Sequence, residues 1–213
     1  MKTILHLCAD TGSDSKPYAD NGYNVVLVGS KIGVENYHPP KDVYGIFANP
    51  PCTEFSIARS GGKPRLAEYG FYLVDECKRI IKEARTSGNL KFWTIENPAT
   101  GALKYILGEP QYVYQPWWFG SPWTKKTAIW GNFNIPERKY YDWEDVPKIP
   151  ELYVRKSTTK HNRYTGKPQM YQLNLNAFDL IPEFKVLPRP SNTMELRSLC
   201  SQKFAKAFFE ANP

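Results

Sequence analysis

Short apolar runs alternate with polar, glycine- or proline-marked segments through the first half of the chain. Thr3 to Cys8 is the first run, and its β-branched and aliphatic residues predict a strand. The polar turn Ala9-Asp10-Thr11-Gly12-Ser13 follows, and a short helix is predicted from Ser15 to Asn21, stopped at Gly22. Asn24-Val25-Val26-Leu27-Val28 predicts a second strand. Residues 29–42 hold glycine, histidine and two prolines and read as a loop. Val43 to Ala48 predicts a third strand, running into Asn49-Pro50-Pro51-Cys52. From Leu66 to Arg85 the period changes: Phe71, Val74, Cys77, Ile80, Ile81 and Ala84 repeat at helical spacing and predict one apolar face. Phe92 to Ile95 predicts the next strand, ending at Glu96-Asn97-Pro98. After Gly131 periodicity fades, and residues 132–190 are rich in Pro, Lys, Arg, Tyr and Trp. Leu196 to Ala211 is helical again, with Leu196, Leu199, Phe204 and Phe208 on one face.

Strands separated by helical segments imply an α/β fold with a mainly parallel sheet. In such sheets chemistry gathers at the carboxyl ends of strands. Three polar constellations fall there: the Asp10–Ser13 turn, Cys52 and Glu96. A chain of 213 residues accommodates one such domain and a small appended lobe. The expected division is a catalytic α/β domain over 1–131, a small irregular basic lobe over 132–190, and a C-terminal helix over 191–213 returning to the first domain.

Composition narrows the partners. Hydrophobic residues make up 41% of the chain, which suits a packed core. No run approaches the ~18 apolar residues of a membrane span, and the N-terminus enters a strand without a leader-like cleavage site. No membrane association and a cytoplasmic location, inside a bacterial host cell, are therefore expected. The net charge is +7 and aromatic residues are 15%, which suits a polyanion with bases to stack on. The four cysteines (Cys8, Cys52, Cys77, Cys200) form no C-x-x-C pair, and the three histidines do not cluster with them. Neither a metal site nor a disulfide framework is expected.

Pro50-Pro51-Cys52-Thr53-Glu54-Phe55-Ser56 is the sharpest local signal. Free cysteines are most often inert core residues. Two prolines at a strand end, however, fix the backbone and aim the next side chain, as a nucleophilic thiol requires. Glu96-Asn97-Pro98 ends the following strand, and neighbouring strand ends would bring its carboxyl to the thiol.

The Pro-Cys loop and the Glu-Asn dipeptide together resemble the cytosine-C5 DNA methyltransferase family, most closely its short, phage-type members. The resemblance runs from Leu5 to about Gly131 and resumes in the C-terminal helix. It implies a Rossmann-like S-adenosylmethionine-dependent methyltransferase fold, with duplex DNA carrying a flipped cytosine as partner. By the resemblance, Cys52 adds to C6 of cytosine, Glu96 holds or protonates N3, and methyl passes from S-adenosylmethionine to C5. The segment Phe119 to Gly131 is similar to the one that places basic residues before a strand and a glycine. There Lys126 matches the second basic position and takes a catalytic role, Lys125 contacts nucleic acid, and Thr124 stands where the first arginine is usual.

The resemblance assigns cofactor binding to Cys8, Ala9, Asp10, Thr11, Gly12, Ser13, Asn49 and Pro51. Asp10 replaces the usual first glycine. Val28 leads to Gly29-Ser30-Lys31 rather than to the acid that takes the ribose hydroxyls; Asp10 and Glu35 are the available carboxylates. Tyr140, Tyr141, Trp143, Arg155, Lys156, Lys160, Arg163 and Lys167 of the lobe, with Ser56, are candidates for phosphate and stacking contacts. A related expectation keeps the fold and nucleic-acid binding but not the transfer. Asn49-Pro50-Pro51 also resembles the loop of amino-methyltransferases, which would require an aromatic ring in place of Cys52.

Overall fold

The computed structural model describes residues 1–55, 67–152 and 166–213. It is a mixed α/β structure around one six-stranded sheet. The strands are β1 (Thr3–Leu7), β2 (Asn24–Val28), β3 (Val43–Ala48), β4 (Phe92–Pro98), β5 (Tyr112–Tyr114) and β6 (Thr127–Asn132), in the order β2-β1-β3-β4-β6-β5. β2, β1, β3 and β4 are mutually parallel, whereas β6 runs antiparallel to both β4 and β5.

Helices cover both faces, and the strand residues divide accordingly because successive side chains point to opposite sides. α1 (Lys16–Asp20) and the C-terminal segment lie over one face. α2 (Ala67–Thr86) covers the other. Leu5, Leu7, Ile46 and Ile95 pack with Val74, Cys77, Ile80 and Ile81 of α2. Ile4, Phe47, Phe92 and Ile129 pack with Tyr18 and Phe208 on the opposite side.

Phe71 departs from the expected stripe. It is 42% exposed, while Leu73 is buried in its stead. At ~100° per residue Phe71 lies roughly 120° from the centre of the buried stripe, so a spacing of three alone misled.

After α3 (Lys104–Leu107) the chain forms β5 and β6, then a region of short turns with α4 (Asn176–Leu180). This region has its own core, where Leu152, Met170, Leu173, Phe178, Ile181 and Phe184 surround Trp123. Trp123 precedes the expected boundary at 131, and Leu196 and Leu199 follow the one at 190. The lobe is also stitched by backbone to the segment that leads into β6: Thr124 N–H donates to Pro168 O at 2.7 Å and Met170 N–H to Thr124 O at 2.9 Å.

The expected single C-terminal helix is two, α5 (Thr193–Ser198) and α6 (Gln202–Ala211). The break has a long-range cause at its start and a local cap at its end. Cys200 N–H donates to Ser13 Oγ at 3.0 Å instead of to a helical carbonyl, and Ser201 caps the new helix by accepting from Phe204 N–H at 3.1 Å.

Candidate active site

The parallel register brings the two sharpest motifs side by side. β3 pairs with β4 up to Ala48 and Ile95, so Cys52 follows the end of one strand while Glu96 stands one residue past the paired end of the other. β4 runs further than its hydropathy suggested, because Glu96, Asn97 and Pro98 pair with Ile129, Ala128 and Thr127 of β6. Glu96 is therefore held on a strand rather than on a loop.

Two hydrogen bonds bracket the Cys52–Glu54 turn. Asn97 Nδ2 donates to Pro50 O at 3.0 Å on one side, and Ala102 N–H donates to Phe55 O at 2.8 Å on the other. Gly101 allows the second approach: a Cβ there would stand 3.1 Å from Pro98 O and 3.2 Å from Phe55 O. The thiol is thus carried by a turn fixed to the strand that carries the carboxyl.

Electrostatics couple three side chains. Burial pushes the Glu96 carboxyl up to about 7, against the opposing pull of the Lys125 ammonium and with a further rise from Asp14. Glu96 Oε1 is buried without a hydrogen-bond partner. Cys52 reaches solvent, yet the protein around it desolvates its thiol and raises its pKa; Lys125 opposes this and Glu96 adds to it. Burial works against the Lys125 ammonium, but Glu96, Cys52, Cys200 and Asp14 outweigh it and hold the lysine charged. The arrangement is a half-neutral acid, a thiol, and a fixed cation that favours the thiolate.

Lys125, not Lys126, is the lysine in this group. Lys126 is exposed, while Lys125 is drawn in where its N–H donates to Gln115 Oε1 at 3.0 Å. Adjacent basic residues cannot be told apart by spacing alone, since only the strand pairing decides which of them faces inward.

The loop after β1 meets this group from the neighbouring strand. Asp14 Oδ2 accepts from Asn49 Nδ2 and from Ser13 Oγ, each at 3.2 Å. Its charge is felt at Glu96, Lys125 and Cys200. The sequence pattern did not mark Asp14, because its role depends on a crossover between strands. His6 Nε2 approaches Asp14 Oδ2 at 3.6 Å, but burial lowers the imidazole pKa despite that carboxylate, so the pair is not an ion pair at neutral pH.

The candidate cofactor residues separate into two kinds. Asp10 and Thr11 lie at the surface or half-buried, with Asn49 half-buried and Pro51 exposed around the same edge. Ala9 and Ser13 are buried, and Ser13 Oγ is spent on Cys200 N–H and Asp14. Gly12 takes a φ of 64° at the turn into α1. The Cys8 thiol points to Cys77 on α2.

Asp10 Oδ1 accepts from Ser30 N–H at 2.8 Å and from Ser30 Oγ at 3.1 Å. A Cβ on Gly29 would lie 2.0 Å from that oxygen. The carboxylate absent from the end of β2 is thus replaced in space by one reaching over from β1. Glu35 is turned elsewhere, accepting from Tyr69 Oη at 3.1 Å.

In the lobe, Arg138 lies over Trp117 and Trp118, with its guanidinium carbon 5.0 and 4.3 Å from the ring centroids, and Lys167 lies 5.2 Å from that of Trp117. Trp143 is buried and Tyr141 exposed. Ser56, Arg155, Lys156, Lys160 and Arg163 lie outside the described residues. Among the described residues, no helix is long and apolar enough to cross a membrane, and no group of three or more His, Cys, Asp or Glu is placed to hold a metal ion. No family model matches the chain, and no curated protein matches it either.

Proposed function

We propose that this protein is a cytosine-C5 DNA methyltransferase of Rossmann-like, S-adenosylmethionine-dependent type. The observation that carries the reading is the meeting of Cys52, Glu96 and Lys125 at the carboxyl ends of the central strands β3 and β4, with the acid raised to about 7 and one of its oxygens left free. Cytosine C5 is a weak nucleophile until a thiolate has added at C6, and that addition needs a proton at N3. Glu96 supplies the proton to N3, and Cys52 adds as the thiolate once its own proton has passed to solvent, a loss that Lys125 favours against the burial of the thiol. Once C5 is alkylated and has given its proton to solvent water, the C5–C6 double bond re-forms, Cys52 leaves as thiolate and Glu96 recovers the N3 proton. Asn97 acts on neither atom; it holds the Pro50–Cys52 turn against β4.

The residues fit the donor at the point where the sequence departs from the family. Asp10, anchored by Ser30, presents a carboxylate at the end of β2, where ribose hydroxyls need an acceptor. S-adenosylmethionine supplies an electrophilic methyl group when bound. Duplex DNA with a flipped cytosine is the proposed partner, and the cytoplasm of a bacterial host the proposed location.

A second reading keeps DNA binding without transfer, and the burial that raises the pKa of the Cys52 thiol favours it. Labelled methyl transfer from S-adenosylmethionine to cytosine-containing DNA decides between them. Label recovered as 5-methylcytosine with wild type, and lost with Cys52→Ala, is the expected result. DNA binding without label, across substrates and cofactor concentrations, overturns the enzyme reading.

A further inference from the structure

Two thiols far apart in sequence meet beneath the loop after β1. Cys8 Sγ lies 3.7 Å from Cys77 Sγ, the one thiol–thiol contact among the described residues. Cys8 has a φ of 56°, the single positive value at a non-glycine among them. A left-handed backbone is unfavourable for a residue with a Cβ, so the surrounding packing imposes it. Its N–H donates to Val28 O at 2.9 Å, which fixes the residue between the ends of β1 and β2. Cys77 sits in the centre of the buried face of α2 with no exposure, whereas Cys8 is partly open to solvent. The Cys8 contact, and then burial, push the Cys77 thiol well above its ordinary range. It therefore stays protonated and out of reach of reagents in solution.

We propose that Cys8 and Cys77 are a peroxide-sensitive pair that closes to an intramolecular disulfide under the β1–α1 loop. In the first step the Cys8 sulfur attacks a hydroperoxide oxygen, the O–O bond breaks, and Cys8 sulfenic acid and an alcohol (water, for hydrogen peroxide) form. In the second, the Cys77 sulfur displaces the hydroxyl from Cys8, and that hydroxyl leaves as water with the Cys77 proton. Two thiols lose two protons and two electrons, and the peroxide takes them up. A thiol reductant reverses the bond.

The pair is set for this chemistry by asymmetry. The accessible thiol meets the oxidant, the buried one can react only with its neighbour, and the helix and strand end that carry them are already packed. A disulfide needs its sulfurs ~2.05 Å apart, so they must approach by roughly 1.7 Å. In a close-packed interior that movement passes to the loop carrying Asp10 and Asp14. Cys52, exposed on its turn, and Cys200, on the opposite face of the sheet, lack such a partner among the described residues. The effect on cofactor binding rests on the methyltransferase reading; the disulfide does not.

The test uses the full chain with Cys52→Ser, so that the exposed thiol does not compete. After hydrogen peroxide treatment, free thiols are expected to fall from three to one. The intact mass should drop by about 2 Da, and a single cross-linked peptide should contain Cys8 and Cys77, all reversed by dithiothreitol. Adding Cys8→Ala or Cys77→Ala should abolish the cross-link, and peptide mapping of oxidised wild type checks the pairing without those variants. A gain of about 16 or 32 Da at Cys8 with Cys77 still free overturns the proposal, as does a chain left unoxidised. Calorimetry with S-adenosylhomocysteine should show at least about tenfold weaker binding to the oxidised chain; equal binding overturns the coupling to the loop. If the reduced chain takes up none, the methyltransferase reading falls, and the mass and peptide results still decide the pair.

Discussion

Two glutamates lie in similar burial and are used in opposite ways. Glu183, in the lobe, accepts from Ser201 Oγ at 3.2 Å and from Lys203 N–H at 3.0 Å through one oxygen, at the start of α6. Both leave Oε1 buried without a hydrogen-bond partner, but Glu96, on β4 in the middle of the sheet, faces the charge of Lys125 instead of capping a helix. Burial raises both carboxyls, but at Glu183 backbone and hydroxyl donors pull back, and the cost is recovered as a helix cap. At Glu96 the charge of Lys125 is what opposes the desolvation. A buried polar group without partners is costly, and in the proposed reaction the base is the partner. A carboxylate that caps a helix reads as architecture, and one held beside a thiol and a lysine reads as chemistry.

Four measurements sharpen or break that contrast. The largest effect is expected at the nucleophile: Cys52→Ala should lower methyl transfer by about 10⁴-fold or more. It should also abolish covalent trapping on DNA with 5-fluorocytosine, whose C5 substituent cannot leave as a proton.

Glu96→Gln should lower transfer by about 10²–10⁴-fold while helping the fold at high pH. Because the folded-state pKa of Glu96 is raised from 4.5 to about 7, its contribution is fully present below 4.5 and is lost as pH rises through 7. The variant should therefore gain on wild type in denaturant midpoint between pH 5 and 8, by up to ~1–3 kcal/mol. A variant that loses activity and is no more stable at pH 8 would place Glu96 with Glu183, as architecture.

Lys125→Met should lower transfer by about ten- to a hundredfold and shift the pH profile of Cys52 alkylation upward, since the cation that opposes the thiol's raised pKa is gone. Lys126→Met should change either quantity less than about twofold. The reverse result would return the role to Lys126.

The smallest effect on activity is expected at Glu183. Glu183→Ala removes a cap worth about 1 kcal/mol, which for a chain of this size lowers Tm by roughly 2–4 °C. Transfer at low temperature should stay within about twofold of wild type.

Much of this was legible in the order of residues. The ranges of β2 and β3 followed from hydropathy alone: β3, buried on both faces, is a continuous apolar run, and β2, a half-buried edge strand, keeps a β-branched one. The thiol and the carboxyl were marked by their place after such runs. β5, only three residues long, left no such mark, and the C-terminal break at Leu199–Ser201 depends on Ser13, nearly the whole chain away.

Local spacing determined which segments become strands and helices, and which polar residues fall at strand ends, since both depend on near neighbours. Tertiary structure alone decided the rest: that Lys125 rather than Lys126 turns inward, that Asp10 reaches the end of β2, that Asp14 acts on Glu96, and that Cys8 meets Cys77. Each of these is a contact between segments brought together by strand pairing and helix packing. Desolvation and Coulomb interaction follow distance in space, which chain order does not carry.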